Sequence, residues 1–121
     1  MKRASSLLLL LLSAVSVGAE ATENIKPVIE IVTLTLKPGV SAENFKKIDK
    51  KIEEQHVSRQ SGFISRESAA GPNHDWLVIV HWRSVKDADA SMKSFTSASA
   101  AQKFMDSIDA SSMKMTRYQQ P

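Results

Sequence analysis

The sequence predicts an α+β domain, a four-stranded antiparallel sheet with its helices packed on one face. Three observations predict it. Two stretches rich in β-branched and aromatic residues, 28–36 and 75–83, read as strands. Two stretches with apolar residues at helical spacing each follow one of those strands. Finally, residues 76–83 alternate Trp76, Val78, Val80 and Trp82 on one face with Leu77, Ile79, His81 and Arg83 on the other. Neither face is fully polar, so both need cover.

The first strand, Val-Ile-Glu-Ile-Val-Thr-Leu-Thr-Leu, sends Ile29 and Ile31 one way and Val32, Leu34 and Leu36 the other. Lys37-Pro38-Gly39 stops it. Ser41 is in position to cap a helix, with Asn44 where a full capping box would place Glu or Gln. That helix is expected to run to Arg59, with Phe45, Ile48, Ile52 and His56 on its apolar stripe. Gly62 breaks the pattern, and residues 63–68 read as the second strand. Ala70-Gly71-Pro72-Asn73 makes a turn into the third. Ser84 caps a second helix whose stripe is Val85, Ala88, Met92 and Phe95, with Asp87 helping its N-terminal dipole. The small, polar run 96–101 interrupts it, and a second piece carries Ala101, Phe104, Met105 and Ile108. Residues 111–119 read as the last strand, Met113, Met115 and Arg117 alternating against Lys114, Thr116 and Tyr118. The order β-α-β-β-α-β with right-handed crossovers is a ferredoxin-like sheet. Its outer face then needs a second copy of the chain.

The 121 residues divide into three segments. Residues 1–19 read as an export signal, with Lys2 and Arg3, the leucine run 7–12, and Val17-Gly18-Ala19 before the cut. Residues 20–27 read as a flexible leader, and 28–121 as one domain. The apolar run of the signal is too short to span a bilayer, so no membrane association is expected after cleavage, and the expected location is periplasmic or secreted. Without Lys2 and Arg3 the chain has 14 basic and 13 acidic residues. That balance gives no case for a nucleic-acid partner. There is no cysteine, hence no disulfide or lipid attachment.

Leu36-Lys37-Pro38-Gly39, Gly62-Phe63-Ile64-Ser65, and Ile79-Val80-His81-Trp82-Arg83-Ser84 leading into an Asp-, Ala- and Phe-rich helix resemble the antibiotic-biosynthesis-monooxygenase-like domains of the dimeric α+β barrel superfamily. The resemblance spans nearly all of the domain. It implies a homodimer. Members of that group include cofactor-independent monooxygenases of polycyclic phenols, haem-degrading enzymes, and proteins without known activity. Trp82 matches a tryptophan of the haem-degrading branch, but the first strand lacks that branch's asparagine and the second helix lacks its histidine ligand.

Among chemistry-bearing residues, His81 is the candidate catalytic group, a general base or ligand-orienting donor; its structural reading is a histidine bonded across the sheet or the dimer interface. Trp82 and Trp76 are candidate aromatic walls for a flat ligand, or plain core. His56, at the helix end, faces the sheet or sits beside the negative end of the dipole. Arg66 and Glu67 alternate faces, so either a polar contact with His81 forms or both are solvated edge charges. Phe45, Phe63, Phe95 and Phe104 read as core, Met113 and Met115 as core filler, and His74 as an exposed turn residue. No metal-ligand spacing, nucleophile motif or phosphate loop occurs, so no metal and no cofactor is expected. The functional expectation is a monooxygenase-like domain with a pocket between sheet and helices, binding a small aromatic or phenolic compound with His81 and Trp82. The alternative is a non-catalytic ligand-binding or stress-related dimer. N-terminal sequencing of the secreted protein is expected to start at Glu20; a membrane-bound product retaining Met1 would contradict the export signal.

Overall fold

The computed structural model describes residues 25–121. The expected export signal, 1–19, and most of the expected leader, 20–27, lie outside the described residues. Among the described residues no helix is long and apolar enough to cross a membrane. The elements are β1 (Val28–Leu36), α1 (Ala42–Gln55), β2 (Phe63–Ala70), β3 (Asp75–Trp82), α2 (Val85–Phe95), α3 (Ser99–Asp106) and β4 (Ile108–Gln119). The sheet order is β2-β3-β1-β4, antiparallel throughout, which is the ferredoxin-like arrangement.

The local signals act where the sequence places them. The Ser41 hydroxyl accepts the Asn44 N–H at 3.1 Å to start α1. The Ser84 hydroxyl accepts the Asp87 N–H at 3.1 Å to start α2, and donates to the Asp87 carboxylate at 2.8 Å. Asn73 and His74 both have positive φ, 56° and 65°, as the tight turn between β2 and β3 demands. The interruption after α2 falls at 96–98, and α3 resumes the helix.

Four element bounds differ from the expectation, the smallest being β3, which ends at Trp82 and not at Arg83. Regular α1 ends at Gln55, because the His56 backbone leaves the helical region; a 3-10 turn, Val57–Arg59, follows. The His56 carbonyl accepts both the Arg59 N–H and the Gln60 side-chain amide, each at 3.1 Å. Ile108 does not extend the helix stripe: it opens β4 and is fully buried against the sheet. β4 therefore starts three residues earlier than its pattern implies. A bulge hides this start, since Thr33 pairs with Lys114 but Thr35 pairs with Asp109. The Ser112 hydroxyl fills the gap by accepting the Thr35 N–H at 2.8 Å. β2 runs two residues further, to Ala70.

The core lies between the sheet and the helices. Val28, Leu34, Leu36, Trp76, Val78, Val80 and Trp82 supply the sheet side, and Phe45, Ile52, Ala101 and Phe104 the helix side. Phe45 ties the layers together, edge-on to Trp76 at 5.0 Å and beside Phe104 at 5.1 Å. The other sheet face carries Ile29, Ile31, Leu77, Ile79 and His81, all half-buried, with Tyr118 exposed beside them.

Gly62 and Gly39 both hold positive φ, 79° and 89°, but their surroundings differ. A methyl at Gly39 meets open space, whereas one at Gly62 would overlap the Asp87 carboxylate that holds the Ser84 cap of α2. Gly39→Ala is expected to cost about 1 kcal/mol from backbone strain, and Gly62→Ala about 3 kcal/mol because strain and cap are lost together. Thermal melts check this: at about 4–8 °C per kcal/mol, equal shifts for the two variants would contradict it.

Candidate functional site

Strand alternation and register place four residues in one row across the helix-facing side of the sheet. Arg117 of β4 pairs with Glu30 of β1, Glu30 pairs with Val80 of β3, and Val80 pairs with Arg66 of β2. A charged residue thus sits on each side of an apolar one, under the helices. Each charge has partners. Arg117 Nε donates to Glu30 Oε2 at 2.8 Å, and its Nη1 donates to Asp89 of α2. Burial works against the Arg117 charge, but the hydrogen bonds from Glu30 and Asp89 outweigh it and hold the guanidinium above its ordinary pKa. Arg66 forms a two-pronged pair with Asp49 of α1, at 2.7 and 3.0 Å, and reaches Glu53 at 3.3 Å. Ser68 donates to the same Asp49 carboxylate at 2.6 Å.

Between these ion pairs lies a cavity of about 210 Å³. Val32, Val78, Val80 and Trp82 form its floor, with Glu30 and Arg66 at the sides. Ser91, Met92 and Phe95 of α2, with Phe104 and Met105 of α3, roof it. Met92 and Thr96 are exposed, so the opening lies at the break between α2 and α3. The cavity is smaller than the sites that hold drug-sized ligands and suits a compact, mostly apolar molecule. Its polar lining residues are Glu30, Arg66, Ser91 and Thr96. Arg117 holds Oε2 of Glu30, while Oε1 has only a long 3.5 Å approach from the Trp82 indole N–H.

The sequence-predicted residues separate in space. Trp82 and Arg66 line the cavity. His81 does not join them. It lies on the opposite sheet face, between Ile29 and Ser65 in the pairing, because residue 81 is one step out of phase with Trp82. Nor does Arg66 meet His81; its partners are the α1 carboxylates Asp49 and Glu53, on the helix side. Glu67 is exposed on the His81 face. Trp76 is buried at the far end of the sheet against Phe45, outside the cavity lining. His56 is buried behind the cavity wall. Its Nε2 lies 3.4 Å from the Ser91 carbonyl and its Nδ1 3.3 Å from the Gln60 amide, fixing the end of α1 to α2. Phe95, Phe104 and Met113, read as core, form part of the lining. Glu30, Asp49 and Arg117 escaped the sequence reading. The one signal for the first and last was a single acidic residue inside the apolar β1 run and a basic one on the Met113–Met115 face of β4.

The Glu30–Arg117 pair is expected to be costly to break and cheap to remove. Arg117→Met strands a buried carboxylate and should cost about 3–4 kcal/mol, whereas Glu30→Met combined with Arg117→Met should cost less than that single change. Urea unfolding of the variants checks this. A double variant less stable than Arg117→Met alone would contradict it.

No protein-family model matches the chain, and no curated protein matches it. Solved structures do. SnoaB, a cofactor-independent oxygenase from Streptomyces nogalater, aligns with a TM-score of 0.64 at 11% identity, covering 79% of this chain and 94% of SnoaB. A conserved protein from Methanosarcina mazei Go1 aligns at 0.65 and 12% identity, covering 84% and 99%. A candidate antibiotic biosynthesis monooxygenase from Nitrosomonas europaea aligns at 0.59 and 18% identity, covering 78% and 89%. Together with the β2-β3-β1-β4 sheet, these alignments establish that the chain has the antibiotic-biosynthesis-monooxygenase-like α+β fold.

Proposed function

We propose that the chain is an exported, homodimeric, cofactor-independent oxygenase of a small phenol, which binds in the cavity between sheet and helices. The observation that carries this reading is Glu30, a buried carboxylate with an under-used oxygen beside a mostly apolar cavity. SnoaB, described as a cofactor-independent oxygenase, supports it through fold alone. The export signal at 1–19 supports the location. The half-buried Ile29, Ile31, Leu77 and Ile79 support a second copy on the open face.

The chemistry needs little from the protein. A phenol held by Glu30 passes its hydroxyl proton to the carboxylate, and the electron-rich ring then gives electrons to molecular oxygen. One oxygen atom bonds to the ring carbon para to the hydroxyl. The O–O bond breaks, and the second oxygen leaves as water with the hydrogen from that carbon and the proton that Glu30 returns. For α-naphthol the balance is naphthol plus O₂ giving para-naphthoquinone plus water. Trp82 and the valines orient the ring, and the apolar walls keep bulk water from the anion.

An oxygen electrode with α-naphthol tests this. The expected result is oxygen uptake matched by quinone formation. Glu30→Gln should lower turnover by about 10²–10⁴-fold. His81→Ala should leave turnover unchanged and weaken the dimer seen by light scattering. Naphthol binding without oxygen uptake would overturn the oxygenase reading and leave a ligand-binding dimer. Loss of turnover in the His81 variant at unchanged dimer mass would move the site to the open face.

A further inference from the structure

The outer side of the helix layer carries a second concavity, a groove of about 870 Å³ between α1 and α3. Lys46, Lys47, Lys50 and Lys51 of α1 and Lys103 of α3 line it, and all five are exposed. No described residue lines both this groove and the cavity above Val80. Residues 20–121 hold 14 basic and 13 acidic residues, nearly in balance. The balance is not local. Five of the basic residues but only two of the acidic ones, Glu43 and Glu54, line the groove. That leaves the groove at +3 and the rest of residues 20–121 at −2.

The fold does little to neutralise this face. Lys46 and Lys50 stand four residues apart, as do Lys47 and Lys51, the spacing at which like charges destabilise a helix. Lys50 meets one carboxylate, Glu53 at 3.8 Å, and Glu53 is shared with Arg66. Among the described residues the other four lysines form no ion pair. An anion in the groove relieves the repulsion in both lysine pairs at once.

The lining also decides the kind of anion. None of the described lining residues is aromatic, so a nucleic-acid strand finds no platform for its bases. None of the large exposed apolar residues lines it either, so nothing there anchors in a bilayer. Ile48 and Ala100 give the groove a small apolar floor, which suits the C–H face of a sugar ring. Lysines are point charges without the planar fork of arginine, so they read charge more than orientation. Their Cβ atoms, four residues apart on a helix, stand about 5–6 Å from one another, close to the length of one sugar in a chain. Lys46 to Lys51 covers about one and a half helical turns, with Glu43 and Glu54 beyond it at either end of α1, so one groove takes only a few sugars.

We propose that the groove between α1 and α3 docks a linear anionic polysaccharide with one charge per sugar. The export proposed above brings the chain to the compartment where such polymers lie. A second copy on the open sheet face leaves the groove free, because the groove is on the other side of the helix layer.

Calorimetric titration of the exported chain with short alginate oligomers, which carry one carboxylate per sugar, tests this. Dextran oligomers of equal length are the neutral probe. Alginate is expected to bind and dextran not to bind. The alginate complex is expected to be lost at about 1 M salt, where charges are screened beyond about 3 Å. Lys47→Gln combined with Lys51→Gln should weaken alginate about three- to thirtyfold, the usual worth of two exposed ion pairs. Its melting temperature should be no lower than that of the native chain, because a like-charge pair is removed. Lys37→Gln combined with Lys86→Gln removes the same charge from exposed positions outside the groove and should leave the affinity nearly unchanged. Equal loss in the two double variants would overturn the groove and reduce the effect to net charge. Absence of alginate binding, or tighter binding of single-stranded DNA or of phosphatidylglycerol vesicles at equal charge concentration, would overturn the polysaccharide. None of these outcomes bears on the oxygenase reading, which rests on the cavity.

Discussion

The site depends on a charge that the fold is obliged to bury. Glu30 sits in the middle strand pair, on the face that the helices cover, within a run of valine and isoleucine. A lone carboxylate there would be untenable. Arg117, directly opposite on β4, neutralises it, and Asp89 on α2 holds the outer side of the same guanidinium. The contact thereby joins β1, β4 and α2. It also sets the chemistry of the cavity, because polar side chains at this level occupy space that a larger apolar side chain would otherwise fill. On the other side of Val80 a second buried pair, Arg66 with Asp49, ties β2 to α1. Two helix–sheet clamps of opposite polarity therefore flank one apolar gap. Buried pairs of this kind add little net stability, since desolvation offsets attraction. Their value here is positional: they hold a carboxylate and a guanidinium at fixed places beside the cavity.

The two faces of the sheet divide the work. The helix face contains the core and the cavity; the open face carries an apolar strip with His81 within it. One residue of phase decides which side chain belongs to which. This separation makes His81 a poor candidate for chemistry in the cavity and a natural one for contacts made by the open face. A domain of this size buries only about two-thirds of its unfolded surface, so covering that strip would add stability where it is scarce.

Much of the fold was legible because its signals are local. Ser41, Ser84, Gly39, Gly62 and the Ala70–Asn73 turn each act over a few residues, and the alternation of β1 and β3 fixes their faces. What escaped depended on partners far along the chain. The end of α1 turns on His56 meeting Ser91 and Gln60; the start of β4 turns on Ser112 replacing a ladder bond to Thr35. The site was half legible. Parity put Trp82 and either Arg66 or Glu67 on one face, but it could not say that Asp49, on the buried stripe of α1, waits for Arg66. Glu30 read as one polar residue in a strand because its partner lies 87 positions away. Pairing register, which periodicity does not supply, turns it into the centre of the site.

The central claim is that ligands enter the cavity above Val80 and Trp82, and the two tryptophans provide a direct reading. Trp82 lines the cavity and Trp76 is buried away from it against Phe45. Each gives one indole N–H resonance in a proton–nitrogen correlation spectrum. Titration with α-naphthol is predicted to shift the Trp82 indole resonance, together with the backbone amides of Met92 and Phe95, and to leave Trp76 and the amides of Ile29 and Ile79 unmoved. Shifts confined to Ile29, Ile79 and His81, with Trp82 unmoved, would contradict the account and place binding on the open face of the sheet.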